Sequence, residues 1–298
     1  MTDTAPTLDA IARESGGLAM VAMDQRESLR TMFDDAGRGR PADDILIDFK
    51  LAVAEVLGPL ASGFLMDRHF GLDRLRTSGL LPAGTGLIVA ADDLMQEPGG
   101  PVEETALDEV VVGPGFDLGG AAAIKLLVIW RRDEKREQRV ELVRSFLAAA
   151  RRLGVLSVLE PVVRATPREL DDGSWDLDEA IREAARELSP LGPSLYKSQV
   201  PLLGTGTAQE QYDESRKLDD AIATPWVVLS QGVAREAYQP AVEQACRAGA
   251  SGFLAGRALW SDVVGASDVR AQLAERSAPR LTALARVVDD FARPWSAK

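Results

Sequence analysis

The sequence predicts an α/β protein built as a single (β/α)8 barrel, or TIM barrel, over residues 1–298. Eight short apolar runs recur with amphipathic segments between them, which indicates parallel strands joined by right-handed helical crossovers. The runs are apolar almost throughout, as expected for strands covered on both faces. Eight strands within about 250 residues fit a closed barrel. A doubly wound open sheet is the alternative, although no GxGxxG motif follows the first strand.

The predicted strands are short and rich in aliphatic residues, and turn residues bound most of them. In chain order they are GLAMVAMD (17–24), GFLMD (63–67), GLIVAAD (86–92), AAIKLLVIW (122–130), LSVLEPVV (156–163), SLYKSQVP (194–201), PWVVLS (225–230) and SGFLAG (251–256).

Helices are predicted where apolar residues recur every three or four positions. In 43–58 such a face runs through Ile45, Phe49 and Val53. Similar faces occur in 136–154 and 235–250, where Gly249 is a plausible stop signal, and 176–190 begins with acidic residues that suit a helix N-terminus. We expect an elaborated loop over 94–115, and one or two helices over 268–293 that close the barrel.

Composition and charge limit the partners of the chain. It is 46% hydrophobic and carries a formal net charge of −12, so nucleic acid would be repelled. No uncharged apolar run approaches the ~20 residues needed to span a bilayer, and the N-terminus lacks the features of a signal peptide. We therefore expect a cytoplasmic protein without nucleic-acid or membrane partners.

Cysteine and histidine are almost absent, since Cys246 and His69 are each the only residue of their type. One cysteine forms no intrachain disulfide, and a zinc site normally draws on several His, Cys or carboxylate ligands. We therefore expect no metal and no other cofactor. Acid–base chemistry must come from carboxylates, lysines or tyrosines.

Chemistry in a (β/α)8 barrel lies at the carboxyl ends of the strands and in the loops that follow. The first three predicted strands end in acidic residues, namely Asp24, Asp67 and Asp92. The fourth, fifth and sixth strands each carry a charged residue within the apolar run, namely Lys125, Glu160 and Lys197. On a barrel wall these three side chains would face one reacting carbon.

Lys197 lies in the middle of PSLYKSQVPL, 193–202, although lysine is almost never fully buried without a partner. Burial and a nearby cation both favour the uncharged, nucleophilic amine. Lys125 would supply that cation, and Glu160 would move protons. We therefore interpret Lys197 as a Schiff-base nucleophile. A purely structural ion-pair network inside the barrel is the alternative.

The turns after the seventh and eighth strands predict an anion site. They read Ser230-Gln231-Gly232 and Gly256-Arg257, at the place where barrels often bind phosphate. Glycine lets backbone N–H groups approach an anion, and an arginine adds a bidentate contact.

Six segments together resemble the class I ketose-phosphate aldolases, over nearly the whole chain and in the same order. They are SGGLAMVAMDQRESLR, AIKLLVIWRRDE, SVLEPVVR, LYKSQVPL, PWVVLSQGV and GASGFLAGRALW. Within that group the chain is similar to the tagatose-1,6-bisphosphate aldolases and, more closely, to the sulfofructosephosphate aldolases.

This resemblance implies a role for each matching position. The imine-forming lysine falls on Lys197, the acid/base glutamate on Glu160 and the second active-site lysine on Lys125. Substrate contacts near the first strand fall on Asp24 and Gln25. Anion-binding positions fall on Ser230, Gly232, Gly256 and Arg257. The resemblance also implies a homo-oligomer that acts on a small phosphorylated sugar.

The implied activity is cleavage of a ketose 1-phosphate to dihydroxyacetone phosphate and an aldehyde. The first candidate substrate is 6-deoxy-6-sulfofructose 1-phosphate, which yields sulfolactaldehyde, with Gln25 as a directed donor to the sulfonate. Arginines near strand ends favour the alternative, a tagatose- or fructose-1,6-bisphosphate aldolase; they are Arg26, Arg68 and Arg164. A non-catalytic phosphosugar-binding barrel and an isomerase or epimerase are further alternatives.

Two positions depart from the family pattern. Gln199 stands where a carboxylate is expected after the sixth strand, and strand alternation would put it on the same face as Lys197. Gln231 stands where a small residue is expected, so it would reshape the anion pocket. Both departures bear on the substrate more than on the imine chemistry.

Overall fold

A closed barrel of eight parallel strands forms the centre of the computed structural model, which describes residues 6–298. The strands are β1 (Leu18–Met23), β2 (Gly63–Met66), β3 (Gly86–Ala90), β4 (Asp92–Met95), β5 (Glu104–Leu107), β6 (Ala123–Trp130), β7 (Leu156–Val163), β8 (Leu195–Ser198), β9 (Trp226–Val228) and β10 (Gly252–Ala255). The order around the barrel is β1-β10-β9-β8-β7-β6-β3-β2. The predicted (β/α)8 barrel is confirmed, and all eight predicted strands belong to it.

Strands β4 and β5 stand outside the barrel. They form an antiparallel hairpin in which Asp92 pairs with Leu107 and Met95 with Glu104. The segment predicted as an elaborated loop over 94–115 is therefore largely ordered as this hairpin and the short helix after it. The prediction missed the hairpin because the two strands are short and partly polar, so the apolar pattern that marks a strand is weak.

Helices connect the strands and cover the barrel. They are α1 (Glu27–Asp35), α2 (Asp43–Leu57), α3 (Leu72–Ser78), α4 (Glu109–Val112), α5 (Arg136–Leu153), α6 (Pro167–Asp171), α7 (Leu177–Leu188), α8 (Ala208–Ala221), α9 (Arg235–Ala248), α10 (Arg257–Trp260), α11 (Val269–Gln272) and α12 (Ala278–Phe291). A π-helical turn, Leu273–Ser277, joins α11 to α12. In the described part of the chain, no helix has the length and apolarity that a bilayer crossing requires.

Local signals explain where several helices begin and end. Asp176 caps α7, because its carboxylate accepts the backbone N–H of Glu179 at 2.9 Å. Gly249 ends α9 with φ +131°, a conformation that L side chains rarely adopt. In α2 the buried face includes Leu46, whereas Ile45 is 46% exposed. The helical phase predicted for α2 was therefore wrong by one residue at its start.

The barrel strands alternate between two apolar cores. Leu18, Met20 and Ala22 of β1 point into the barrel, whereas Ala19 and Val21 pack against the helices. This two-residue period is the ordinary geometry of a strand. The core inside the barrel also contains Ala123, Leu156, Val158, Leu195, Val227 and Leu254.

The same alternation sets the direction of the charged side chains. Lys125 is two residues after Ala123, Glu160 two after Val158, and Lys197 two after Leu195, so all three continue the inward-facing series. Val158 is level with Leu195 in the β7–β8 register, so Glu160 and Lys197 are also level. A slip of one residue would turn these side chains towards the helices instead.

Candidate active site

A cavity of about 410 Å³ opens at the carboxyl ends of the barrel strands. This volume suits a small ligand such as a phosphorylated sugar. Residues predicted for the site that line it are Asp24, Gln25, Lys125, Glu160, Lys197, Ser230, Gly256 and Arg257. Gly232 is the predicted anion-site residue that does not line the cavity. Its φ of +81° gives it a turn-forming role instead, and a Cβ at this position would lie 3.2 Å from a Leu203 methyl group.

Lys197, Glu160 and Lys125 meet at the floor of the cavity. Lys197 Nζ lies 2.9 Å from Glu160 Oε1, and Lys125 Nζ lies 2.8 Å from Glu160 Oε2. All three residues are buried, with 4%, 6% and 1% exposure respectively. One carboxylate thus stands between two amines, each supplied by a neighbouring strand.

Lys125 remains a cation in this arrangement. Burial alone would lower its pKa, but the carboxylates of Asp24, Asp92 and Glu160 outweigh burial and hold that pKa well above its ordinary value. Its ammonium donates hydrogen bonds to Asp24 Oδ2 at 2.7 Å and to Asp92 Oδ2 at 3.0 Å. Lys125 therefore supplies a fixed positive charge next to Glu160.

Asp24 and Glu160 differ in what they are free to do. Burial would raise the pKa of Asp24, but the attraction of Lys125 and Lys197 outweighs it and lowers that pKa, so Asp24 stays ionised. Glu160 Oε2 is buried and has no hydrogen-bond partner, because the contact with Lys125 lacks hydrogen-bond geometry. A carboxylate oxygen beside the cavity that accepts no hydrogen bond is available for proton exchange.

The turn after β10 offers a close approach to the backbone. A Cβ on Gly256 would lie 2.7 Å from the carbonyl oxygen of Ala22 and 2.9 Å from Gln25 Nε2, so only glycine fits. Gln25 therefore lies against this turn, and its Oε1 is buried without a hydrogen-bond partner. Ser230 and Gln231, which follow the neighbouring strand β9, also line the cavity.

Arg164 and Arg257 are the cations of the cavity that have no carboxylate within 4 Å among residues 6–298. Burial lowers the pKa of each guanidinium from its ordinary value, and Arg164 lowers that of Arg257 further. Arg164 Nε is also buried without a hydrogen-bond partner. Two such cations at one cavity form a site that an anionic ligand would stabilise.

The other two arginines considered for phosphate binding are already paired. Arg26 donates to Asp92 Oδ1 at 2.8 Å and to the Asp92 carbonyl oxygen at 2.9 Å. Arg68 lies outside the lining and donates to Asp108 at 2.6 Å. Neither guanidinium is free in the way that Arg164 is.

Gln199 does not share the cavity with Lys197, contrary to the expectation from strand alternation. Strand β8 ends at Ser198, so the alternation stops one residue earlier. The Gln199 side chain is buried, and its Oε1 accepts the backbone N–H of Val163 at 2.7 Å. The departure at Gln199 therefore affects the contact between the ends of β7 and β8. Gln231, the other departure from the family pattern, does line the cavity.

The sequence analysis missed two parts of the site. The first is Asp92, which was seen as a strand end but not as a partner of Lys125. The second is the hairpin, whose residues Leu94, Gln96 and 99–102 line the cavity. The length of the insertion between the third and fourth barrel strands was the available signal, because long loops at this end of a barrel often carry function.

Comparison with known proteins matches the fold and the chain to one family. Residues 18–262 match the model of the DeoC/LacD family aldolases. Tagatose 1,6-diphosphate aldolase of Listeria monocytogenes serotype 4a (strain HCC23) is 27% identical over 98% of this chain and 93% of its own.

Two solved aldolases share the fold. Fructose-bisphosphate aldolase from Plasmodium falciparum has a TM-score of 0.69 at 14% identity, over 98% of this chain and 97% of its own. An archaeal fructose-1,6-bisphosphate aldolase, solved with its catalytic Lys bound to a carbinolamine intermediate, has a TM-score of 0.59 at 15% identity, over 95% and 98%. The chain belongs to the DeoC/LacD aldolase family, and the class I aldolase expected from the sequence is confirmed.

Proposed function

We propose that this aldolase cleaves a ketose 1-phosphate between C3 and C4 through an imine on Lys197. The observation that carries the proposal is the buried group in which Glu160 lies between Lys197 at 2.9 Å and Lys125 at 2.8 Å. The products are dihydroxyacetone phosphate and an aldehyde.

In the first half of the proposed reaction, the amine of Lys197 attacks the ketone carbon C2. Its proton passes to Glu160, which lies next to Nζ, and a carbinolamine forms. Glu160 returns this proton to the carbinolamine oxygen, which becomes a hydroxyl group. Glu160 then takes up a second proton from solvent and donates it to that hydroxyl group, and loss of water leaves a protonated imine. Lys125 keeps its own proton, because three carboxylates hold its charge in place, and so it does not compete as the nucleophile.

In the second half, a base removes the proton of the C4 hydroxyl group while the C3–C4 bond breaks. The electron pair of that bond moves into the imine, which becomes an enamine, and C4 leaves as the aldehyde carbon. The enamine then takes a proton at C3, and water releases dihydroxyacetone phosphate from Lys197. Glu160 Oε2 is our candidate base, since it is buried beside the cavity and accepts no hydrogen bond.

The 1-phosphate is proposed to bind at the turns after β9 and β10. Arg257 is half-buried and lacks a carboxylate partner in the described chain, and Gly256 gives access to the backbone. Ser230 adds a hydroxyl donor at the same side of the cavity. Together these groups supply charge and directed donors for a tetrahedral dianion.

For the far end of the substrate we propose a second anion that contacts Arg164. Arg26 and Arg68 are engaged by aspartates, so one guanidinium remains there. A single free cation suits a singly charged sulfonate, as in 6-deoxy-6-sulfofructose 1-phosphate. Gln25 gives less support than expected, because it lies against Gly256, at the 1-phosphate turn.

Tagatose 1,6-bisphosphate is the second candidate substrate, and a specific observation favours it. The Listeria relative, similar over nearly the whole chain, is named for that substrate. Arg164 would serve a second phosphate as well. We expect a higher kcat/KM for the sulfosugar than for tagatose or fructose 1,6-bisphosphate; the reverse order would refute the sulfonate proposal and leave the aldolase proposal standing.

Replacement of Arg164 by Gln should separate the two ends of the site. We expect kcat/KM for the full substrate to fall by ~10–100-fold, because a hydrogen bond to a charged group is lost. Trapping of dihydroxyacetone phosphate by borohydride should stay at the wild-type level, since this product has no far-end anion. Arg168→Gln is the matched control, because its side chain is 92% exposed. Equal loss in both assays would contradict the assignment of Arg164 to the far end.

Chelators should leave activity unchanged, because the protonated imine accepts the electrons that a metal would otherwise accept. In residues 6–298 no group of three or more His, Cys, Asp or Glu is arranged to hold a metal ion. The test is turnover after dialysis against EDTA. Loss of activity that added divalent metal restores would contradict the imine mechanism.

We also propose that the protein is a cytoplasmic homo-oligomer. The oligomeric part of this proposal rests on the family resemblance. Sedimentation of the purified protein would show the number of subunits.

A further inference from the structure

A continuous run of alternating charges leads from helix α2 to the reaction centre. Lys50 of α2 is fully buried and pairs with Asp67, which follows β2. Asp67 Oδ1 lies 3.9 Å from Arg26 Nε, and Arg26 in turn donates two hydrogen bonds to Asp92. Asp92 accepts a hydrogen bond from Lys125. The proposed mechanism uses only the last residue of this run.

Asp92 is the point at which the run meets the reaction centre. Its Oδ2 accepts from Lys125 Nζ at 3.0 Å and from the backbone N–H of Leu127 at 2.9 Å, and its Oδ1 accepts from Arg26 at 2.8 Å. The side chain is fully buried and is not part of the cavity lining. Asp92 therefore acts on the reaction through the residues that it holds.

The held residue is Lys125, whose ammonium group has three N–H donors. Two of them serve Asp24 and Asp92. The contact with Glu160 Oε2 is an ion pair at 2.8 Å that lacks hydrogen-bond geometry, so this oxygen accepts no hydrogen bond. Without Asp92, the N–H group of Lys125 that Asp92 accepts would lose its acceptor, and the nearest one left is Glu160 Oε2. A hydrogen bond from Lys125 to Oε2 would occupy the oxygen that we assign to proton exchange.

We infer that Asp92 is a positioning residue of the aldolase reaction, which holds Lys125 so that Glu160 Oε2 stays free to exchange protons with the substrate. Arg26, Asp67 and Lys50 fix Asp92 from the side of α2. The inference rests on the proposed function, since it assumes that Glu160 moves protons for an imine on Lys197.

The direct test is Asp92→Asn, which keeps the shape and one acceptor oxygen but removes the charge. We expect kcat to fall by ~10–100-fold while KM changes less than ~3-fold, because the substrate does not contact Asp92. Asp93→Asn is the matched control, since Asp93 is adjacent in β4 but exposed. The control should keep the wild-type kcat and KM.

The pH dependence of borohydride trapping is a second measurement. It should stay unchanged in Asp92→Asn if Asp92 has only a structural role. Removal of one negative charge makes the electrostatic potential of the centre more positive, which favours the deprotonated form of whichever group limits trapping at low pH. We expect the acid limb of borohydride trapping to move to lower pH by ~0.5–1 unit in Asp92→Asn. The charged groups that face the centre are Asp24, Arg26, Asp92, Lys125, Glu160, Arg164, Lys197 and Arg257.

Asp92→Glu keeps the charge and is the second variant. We expect it to lose turnover with KM retained, since the longer arm displaces Lys125, but to keep the wild-type acid limb. If Asp92→Asn is recovered unfolded, Asp92→Glu alone tests the inference, and wild-type turnover in Asp92→Glu would overturn it. Wild-type turnover in folded Asp92→Asn, or a KM effect without a kcat effect, also overturns it.

The proposed function is tested separately in the same series. Wild-type protein that is not labelled at Lys197 by dihydroxyacetone phosphate and borohydride contradicts the imine mechanism itself. If the wild-type protein is labelled at Lys197 but Asp92→Asn keeps the wild-type turnover, only the role of Asp92 is contradicted.

Discussion

Lys197→Arg is expected to abolish turnover and covalent trapping together. Arginine keeps a positive charge near Glu160, but its guanidinium stays protonated at any pH that the protein tolerates and forms no imine with a ketone. The electron sink for C3–C4 cleavage is then missing. We expect kcat to fall by on the order of 10⁴-fold or more, as for removal of a catalytic nucleophile.

The measurement is incubation with dihydroxyacetone phosphate and sodium borohydride, followed by peptide mapping. Hydride reduces the imine to a stable secondary amine, so the modified lysine carries the carbon skeleton of the substrate. Lys125→Arg should still be labelled at Lys197, since Lys125 serves as a cation. Lys217→Arg is a control, because its side chain is 58% exposed and lies on α8. A label on Lys125 in the wild-type protein would show that the two lysines have been assigned in the wrong order.

The same experiment separates the alternative functions. A barrel that only binds phosphosugars gains no covalent adduct. An isomerase or epimerase exchanges a substrate proton with solvent but releases no dihydroxyacetone phosphate. An aldolase exchanges a proton with solvent and also releases cleavage products, because the enamine takes its C3 proton from solvent and the aldehyde departs as a separate product.

Much of the site could be predicted because strand periodicity fixes it. Lys125, Glu160 and Lys197 stand in apolar runs at positions of the same parity as Ala123, Val158 and Leu195, which fill the barrel interior. Once those runs are strands of one barrel, the three side chains have to point inwards. The ion pairs at 2.8 and 2.9 Å follow from adjacency of the strands in the closed sheet.

The remaining parts depend on pairings that no local pattern specifies. Asp24 and Lys125 are 101 residues apart and Asp92 and Lys125 are 33 apart, so their hydrogen bonds are set by where the strand ends meet in the closed barrel. Gln199 could not be placed, because the end of β8 decides whether the alternation reaches it. The sequence likewise does not say which arginines will be used by aspartates and which, such as Arg164, stay free.

Glu160→Gln is the second substitution with a large expected effect. The amide keeps the size of the side chain and one acceptor oxygen, so the barrel should fold as before. It has no proton to give and takes none at neutral pH, and each proposed transfer at the imine and at the C4 hydroxyl group loses its carrier. We expect kcat to fall by ~10²–10⁴-fold, the usual range for loss of a general acid–base.

The reason to expect catalysis rather than structure from Glu160 is its unequal surroundings. Asp24, beside it, is held ionised by the two lysines and is fixed by a hydrogen bond from Lys125. Glu160 Oε2, by contrast, is buried and accepts no hydrogen bond, although the ammonium group of Lys125 lies 2.8 Å away. A structural carboxylate in an apolar strand would be fully hydrogen-bonded, because an unsatisfied buried oxygen costs ~1–3 kcal/mol or more. Glu243→Gln is the control, because Glu243 lies on α9 outside the cavity lining and pairs with Arg247. If folded Glu160→Gln turns over near the wild-type rate, Glu160 serves only to pair the two lysines, and the proton carrier must be sought among the other groups that line the cavity.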